Sequence, residues 1–182
     1  MFTDSLFHDM TKILESHIEI ASIDLLTSSS TRPLSSYFNV LDSILLEMDY
    51  TLLVDSELPK RLLDVSLKAF DIVLAVCANE SPEGNLPASF RDIDVKAQEL
   101  ISTSNASKDL SPGEKSQLIL HHCFRTIKDA TAALATCVER FPLPSINSDG
   151  LILLETIGET LCRLLGVVRR YICHSFKALI FV

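Results

Sequence analysis

Glycine is scarce in this chain, with 5 in 182 residues. That leaves little material for loops in which bare backbone wraps a phosphate. No dinucleotide fingerprint, P-loop or nucleophile elbow is present, and the chemistries that depend on them have no residues to carry them. Long apolar runs are also missing. Nothing approaches the roughly 20 consecutive residues needed to span a bilayer, so the chain is expected to be soluble with no membrane partner. The N-terminal MFTDSLFHDMTKILE is acidic and interrupted by polar residues, unlike a signal peptide or an Arg-rich transit peptide. Cysteine is present but unpaired in pattern. Cys77, Cys123, Cys137, Cys162 and Cys173 are odd in number and widely spaced. This disfavours a disulfide framework or a zinc site and fits buried thiols in a reducing, cytoplasmic setting.

What remains is apolar and helical. Hydrophobic residues make up 47% of the chain and charged residues 22%, with a mean hydropathy of +0.28. An apolar excess without a membrane span implies extensive helix–helix packing. The net charge of −8 is divided unevenly. Residues 1–111 hold 8 Lys and Arg against 18 Asp and Glu, a net of −10, whereas residues 112–182 hold 8 against 6, a net of +2. The first part repels nucleic acid at long range, and the second can sit beside phosphate without dominating its capture.

The hydrophobic spacing predicts helices over 2–26, 35–50, 58–78, about 93–102, 112–141 and about 149–170. TSSSTRP at 27–33, the polar stretch 79–92 and the segment 102–111 read as loops, and 171–182 as an atypical tail. No strand pattern is long enough to build a sheet. The expected fold is all-α, a single helical domain over 1–182. Antiparallel helices with wide apolar faces suit a bundle or an armadillo/HEAT-like alpha-solenoid fragment, and the helix lengths and loop placement favour the solenoid.

The most informative stretch is QLILHHCFRTIKDATAALATCVERFPLP, residues 117–144. At about 100° per residue, Ile119, Leu120, Cys123, Phe124, Ile127, Ala130, Leu134, Cys137, Val138 and Phe141 fall on one face. His121, His122, Arg125, Lys128, Asp129, Ala132, Thr136 and Arg140 fall on the other. Charge is concentrated at Arg125, Lys128 and Asp129 and is followed by small residues, as on a surface that is approached closely. Ser111, Pro112 and Glu114 supply a capping box and a first-turn proline, while Pro142 and Pro144 stop the helix.

His121-His122-Cys123 does not read as a metal site, because neighbouring helical residues diverge too far to converge on one ion. Cys173-His174 has nothing to orient its imidazole. Asp92 and Asp94 lie in polar sequence and read as solvated. No catalytic residue, metal ligand or cofactor site emerges, so the chain is not expected to be an enzyme. The Arg125–Asp129 spacing fits either an ordinary surface ion pair or a docking patch.

The segment CFRTIKDATAAL followed by FPLP resembles the central region of the thyroid adenoma-associated protein (THADA) family. A similar helix there reads Cys-Trp-Arg-x-x-Lys-Glu and ends in a Pro-Leu-Pro turn. Arg125 and Lys128 match its basic positions, Asp129 stands where Glu is usual, and Phe124 where Trp is usual. LETIGETLCRLLGVVRR (154–170) resembles the family's next, Ile-Gly helix, with Ile157, Gly158, Leu164 and Arg169 fitting it. LLDVSLKAFDIVLAV before an acidic loop is similar in character and spacing. The likeness covers about residues 60–171. Beyond Arg170 the chain reads YICHSFKALIFV rather than a Gly-Ala continuation, and the family's later Arg-Arg-Ser-Ala-Gly-Leu-Pro motif is absent, as expected of a fragment.

The resemblance implies a large alpha-solenoid. It also implies a non-catalytic subunit that helps a separate tRNA ribose 2'-O-methyltransferase modify the anticodon loop. The expected partners are that catalytic subunit, its tRNA, or both. The rival expectation is a general protein-interaction solenoid without an RNA role. Arg125, Lys128 and Asp129, aided by Arg169 and Arg170, are the expected contact patch. Bracing of helix packing is the alternative role for the same residues.

Overall fold

A computed structural model of the chain describes residues 2–49, 57–79, 86–87, 90–104, 110–140, 152–153 and 155–162. The described residues are almost entirely helical. Helices α1 (Phe2–Ile23), α2 (Leu25–Thr31), α3 (Leu34–Glu47) and α4 (Leu58–Cys77) are followed by two minimal paired strands, β1 (Ala78–Asn79) and β2 (Leu86–Pro87). Helices α5 (Phe90–Thr103) and α6 (Pro112–Arg140) complete the principal elements, and residues 155–162 are also helical. The all-α expectation holds. Among the described residues its one exception is the antiparallel bridge between Ala78–Asn79 and Leu86–Pro87, two residues a side and too short to present an apolar face.

The expected first helix, 2–26, is divided. Asp24 adopts an extended backbone (φ −142°, ψ 90°) and caps a new helix, its carboxylate accepting from the Thr27 backbone N–H at 3.0 Å and the Thr27 hydroxyl at 2.8 Å. The expected loop at 27–33 is therefore a correction, because Thr27–Thr31 belong to α2. The reason is local. Asp24 supplies the cap, Leu25 and Leu26 bury, and the hydroxyls that would favour a turn fold back on the helix. Ser29 donates to the Leu25 carbonyl at 2.6 Å and Thr31 to the Thr27 carbonyl at 2.8 Å. Pro33, extended at ψ 131°, then starts α3. Helix α5 begins at Phe90, three residues before its expected start, so 90–92 leave the expected 79–92 loop.

The core follows from helical periodicity. Phe7, Thr11, Leu14, Ile18 and Ala21 bury one stripe of α1. Phe38, Leu41 and Leu45 do so on α3, and Leu62, Ala69, Phe70 and Val73 on α4. Each large side chain fully removed from water contributes about 1.5–3 kcal/mol before entropy is counted. Helices α1 and α6 each pack against both α3 and α4, and α6 also packs against α2 and α5. His17 stacks on Tyr37 with ring centroids 4.7 Å apart, tying α1 to α3. Ser104, just past α5, donates to both Asp24 carboxylate oxygens at 2.8 and 2.9 Å, which fastens α5 to the cap of α2. Burial works against an ionised Asp24, yet the hydrogen bonds from Thr27 and Ser104 outweigh it and hold the carboxyl below its ordinary range. Ile157 is fully buried, so the 155–162 segment joins the same core.

Candidate docking ridge on helix α6

Helix α6 begins as its sequence prescribes. The Ser111 backbone N–H and hydroxyl donate to Glu114 Oε2 at 2.8 and 2.7 Å, and the Glu114 N–H reaches back to the Ser111 hydroxyl at 3.4 Å. Its 29 residues make a rod of about 43 Å at 1.5 Å per residue. Ile119, Cys123, Ile127, Ala130, Leu134 and Cys137 are buried, as their spacing requires.

The buried face is rotated from the expected one. Ser116, His122, Thr126 and Ala133 are buried, while Leu120 and Phe124 are only partly covered and Val138 is exposed. The cause is tertiary. With α2, α3, α4 and α5 all against it, α6 is covered on its flanks as well as on its most apolar side. His122 is thus a correction to the polar-face reading. It is 3% exposed, and neither ring nitrogen has a protein hydrogen-bond partner. Burial, with a smaller contribution from His121, pushes its pKa down to about 4. The small side chains at Ser116, Thr126, Ala130 and Ala133 were the available sequence signal, since they permit close helix approach.

The solvent ridge of α6 carries His121, Arg125, Lys128, Ala132 and Ala135. Arg125 and Lys128 are both on it. Asp129 lies at its edge, its side chain 12% exposed, with Oδ2 3.7 Å from the Arg125 guanidinium. That separation is an ion pair rather than a hydrogen bond, and Oδ2 is otherwise shielded without a hydrogen-bond partner. Arg125 therefore does two things at once: about half its side chain faces solvent, and it is the cation beside a largely buried carboxylate. Thr136 is half-buried, and the Arg140 guanidinium donates to the Leu46 carbonyl, clamping the end of α6 to α3. Arg169 and Arg170 lie outside the described residues, as do Phe141, the Pro142–Pro144 stop and Cys173-His174.

Among the described residues, no group of three or more His, Cys, Asp or Glu could hold a metal. His121 is exposed while His122 and Cys123 are buried, so that triplet diverges as its helical spacing requires. Cys77, Cys123 and Cys137 are buried thiols and Cys162 is exposed. The hydrogen bond to Cys77 and then burial raise the Cys123 thiol well above its ordinary value, and burial pushes Cys137 up to about 12. Buried and shifted upward, the Cys123 and Cys137 thiols are inert. Sequence reasoning missed an open groove of about 480 Å³ between α1 and α4, lined by Glu15, Glu57, Lys60, Arg61, Asp64, Leu67 and Lys68. Glu15 pairs with Lys68 at 3.2 Å and Arg61 at 3.8 Å, and Glu57 with Lys60 at 3.8 Å. Its cations and carboxylates balance, leaving no field of one sign to capture a charged ligand.

These elements define an all-helical, solenoid-like fold with an exposed ridge along α6. The THADA/TRM732, DUF2428 family model matches residues 57–169, more than half of the chain, and the chain belongs to that family. The match runs from the start of α4 through α6 and includes the whole ridge. Comparison with curated proteins and with solved structures gives no match. Family membership connects the chain with tRNA modification and with a tRNA methyltransferase as partner. No helix among the described residues is long and apolar enough to cross a membrane.

Proposed function

We propose that this chain is a non-catalytic, cytoplasmic scaffold that supports tRNA ribose 2'-O-methylation in the anticodon loop by a separate methyltransferase. The observation that carries the reading is the coincidence of the family match with the α6 ridge. Within the matched residues, Arg125 and Lys128 stand one turn apart on the solvent side of a helix clasped by four others. A guanidinium can grip phosphate or carboxylate bidentately, and an ammonium adds a point charge beside it. A preformed helix presents both without a backbone ordering cost, leaving only their side-chain rotamers to be fixed.

The test separates docking from bracing. Binding of the methyltransferase subunit and of tRNA is measured for Arg125→Ala/Lys128→Ala, for Lys128→Ala alone and for Arg125→Ala/Asp129→Ala. A docking ridge predicts at least about tenfold weaker binding for both Arg125 double variants, a loss of about 1.4 kcal/mol. Removing Asp129 together with Arg125 also relieves the stranded carboxylate, so the second double variant regains stability without regaining binding. Wild-type binding by that second variant would overturn the docking role and leave Arg125 as a brace for Asp129.

A further inference from the structure

Helix α1 buries one face and leaves an apolar line on the other. Leu6, Ile13 and Ile20, at 38%, 43% and 45% exposure, recur every seven residues, and Ile23 is 87% exposed. With Asp9 and Ser16 between them they form a single seam along the helix, the heptad geometry that two helices share when they wrap. Exposed Lys12 and Glu19 border the seam on one flank, again seven residues apart.

We propose that this seam is an interface between two copies of the chain, packed antiparallel along α1. The orientation follows from charge and polarity. A parallel pair would set Asp9 against Asp9 of the second copy, with no counter-charge on the seam. In the antiparallel register Leu6 meets Ile23 of the other copy at both ends, Ile13 meets Ser16 on either side of the two-fold axis, and Asp9 lies beside Ile20. The same register brings Lys12 of each copy next to Glu19 of the other, two opposite-charge contacts in one symmetric pair. The Lys12 and Glu19 flanks are complementary in sign about the two-fold axis. Its apolar layers are few, and the Asp9–Ile20 layers are imperfect, so the association is weak and reversible. This surface lies outside the family-matched residues and is independent of the α6 ridge.

Sedimentation equilibrium of the full chain over a wide concentration range tests this, with far-UV circular dichroism confirming that each variant stays folded. The wild type is expected to show a monomer–dimer equilibrium. Ile13→Asp should raise the dimer Kd by about tenfold or more, and Asp9→Leu should lower it by completing the seam. Lys12→Glu should weaken the dimer by setting like charges side by side, and Lys12→Glu/Glu19→Lys should restore it. A chain that stays monomeric at all concentrations, or a dimer indifferent to Ile13→Asp, would overturn the proposal. So would a double charge swap that fails to recover what the single swap lost, because the antiparallel register requires that recovery.

Discussion

His122 is the least comfortable side chain in the core. Both ring nitrogens are shielded from water and lack a protein hydrogen-bond partner, and burial keeps the imidazole neutral down to about pH 4. Above pH 6.5 the ring is neutral in the folded and unfolded chain alike, so it costs nothing in proton uptake. Below 6.5 the unfolded chain binds a proton that the folded chain refuses until about pH 4. Stability therefore falls through that window by up to about 3 kcal/mol, at 1.36 kcal/mol per pKa unit. His17, whose pKa burial and then Arg32 also lower, adds a loss of the same sign. His122→Leu should flatten the decline between pH 6.5 and 4 in urea unfolding midpoints. At pH 7 it should leave stability unchanged or raised, because it deletes two unsatisfied polar atoms. An unaltered pH slope in this variant would show that His122 is not its source.

At the scale of the element, the short helix α2 rests on one carboxylate. Asp24 receives the Thr27 N–H and hydroxyl from its own helix and the Ser104 hydroxyl from beyond α5. Asp24→Ala removes the cap together with the hydrogen bonds that Ser104 gives it, with an expected loss of about 1–2 kcal/mol in chemical denaturation. Asp24→Asn keeps the acceptor and should recover most of it; a loss equal to that of alanine would mean that charge rather than capping holds α2. The same helix shows what can be read from sequence. Ser111, Pro112 and Glu114 announced the start of α6 because all partners of that cap lie within four residues. Helices α3 and α4 were legible because their apolar stripes recur at helical spacing. TSSST read as a loop because serine and threonine are weak helix formers in isolation. What makes them helical is a cap secured partly from residue 104, and no local pattern carries that information. The candidate site divides likewise. Exposed Arg125 and Lys128 were legible from helical spacing, while the burial of His122 and the shielding of Asp129 depend on how four other helices close around α6.

For the whole molecule, α6 is the common partner. Helix α5 packs mainly on it, and α3 and α4, which share α1 on one side, share α6 on the other. The face opposite its ridge is packed against the rest of the chain, so the proposed docking role would be coupled to folding through one helix. Leu134 is fully buried in that face. Leu134→Ala should cost about 2–5 kcal/mol, the range for a large core side chain that leaves a cavity. Because α6 is shared, the loss should not stay local. Amide hydrogen exchange should quicken together in α3, α5 and α6, and unfolding followed by helix content should remain a single transition with a lower midpoint. Faster exchange confined to the turns around residue 134, with α5 protected as before, would mean that α5 holds its place without α6. The ridge bearing Arg125 and Lys128 would then be stabilised locally, turn by turn against α2, α3 and α4, rather than by the molecule as a unit.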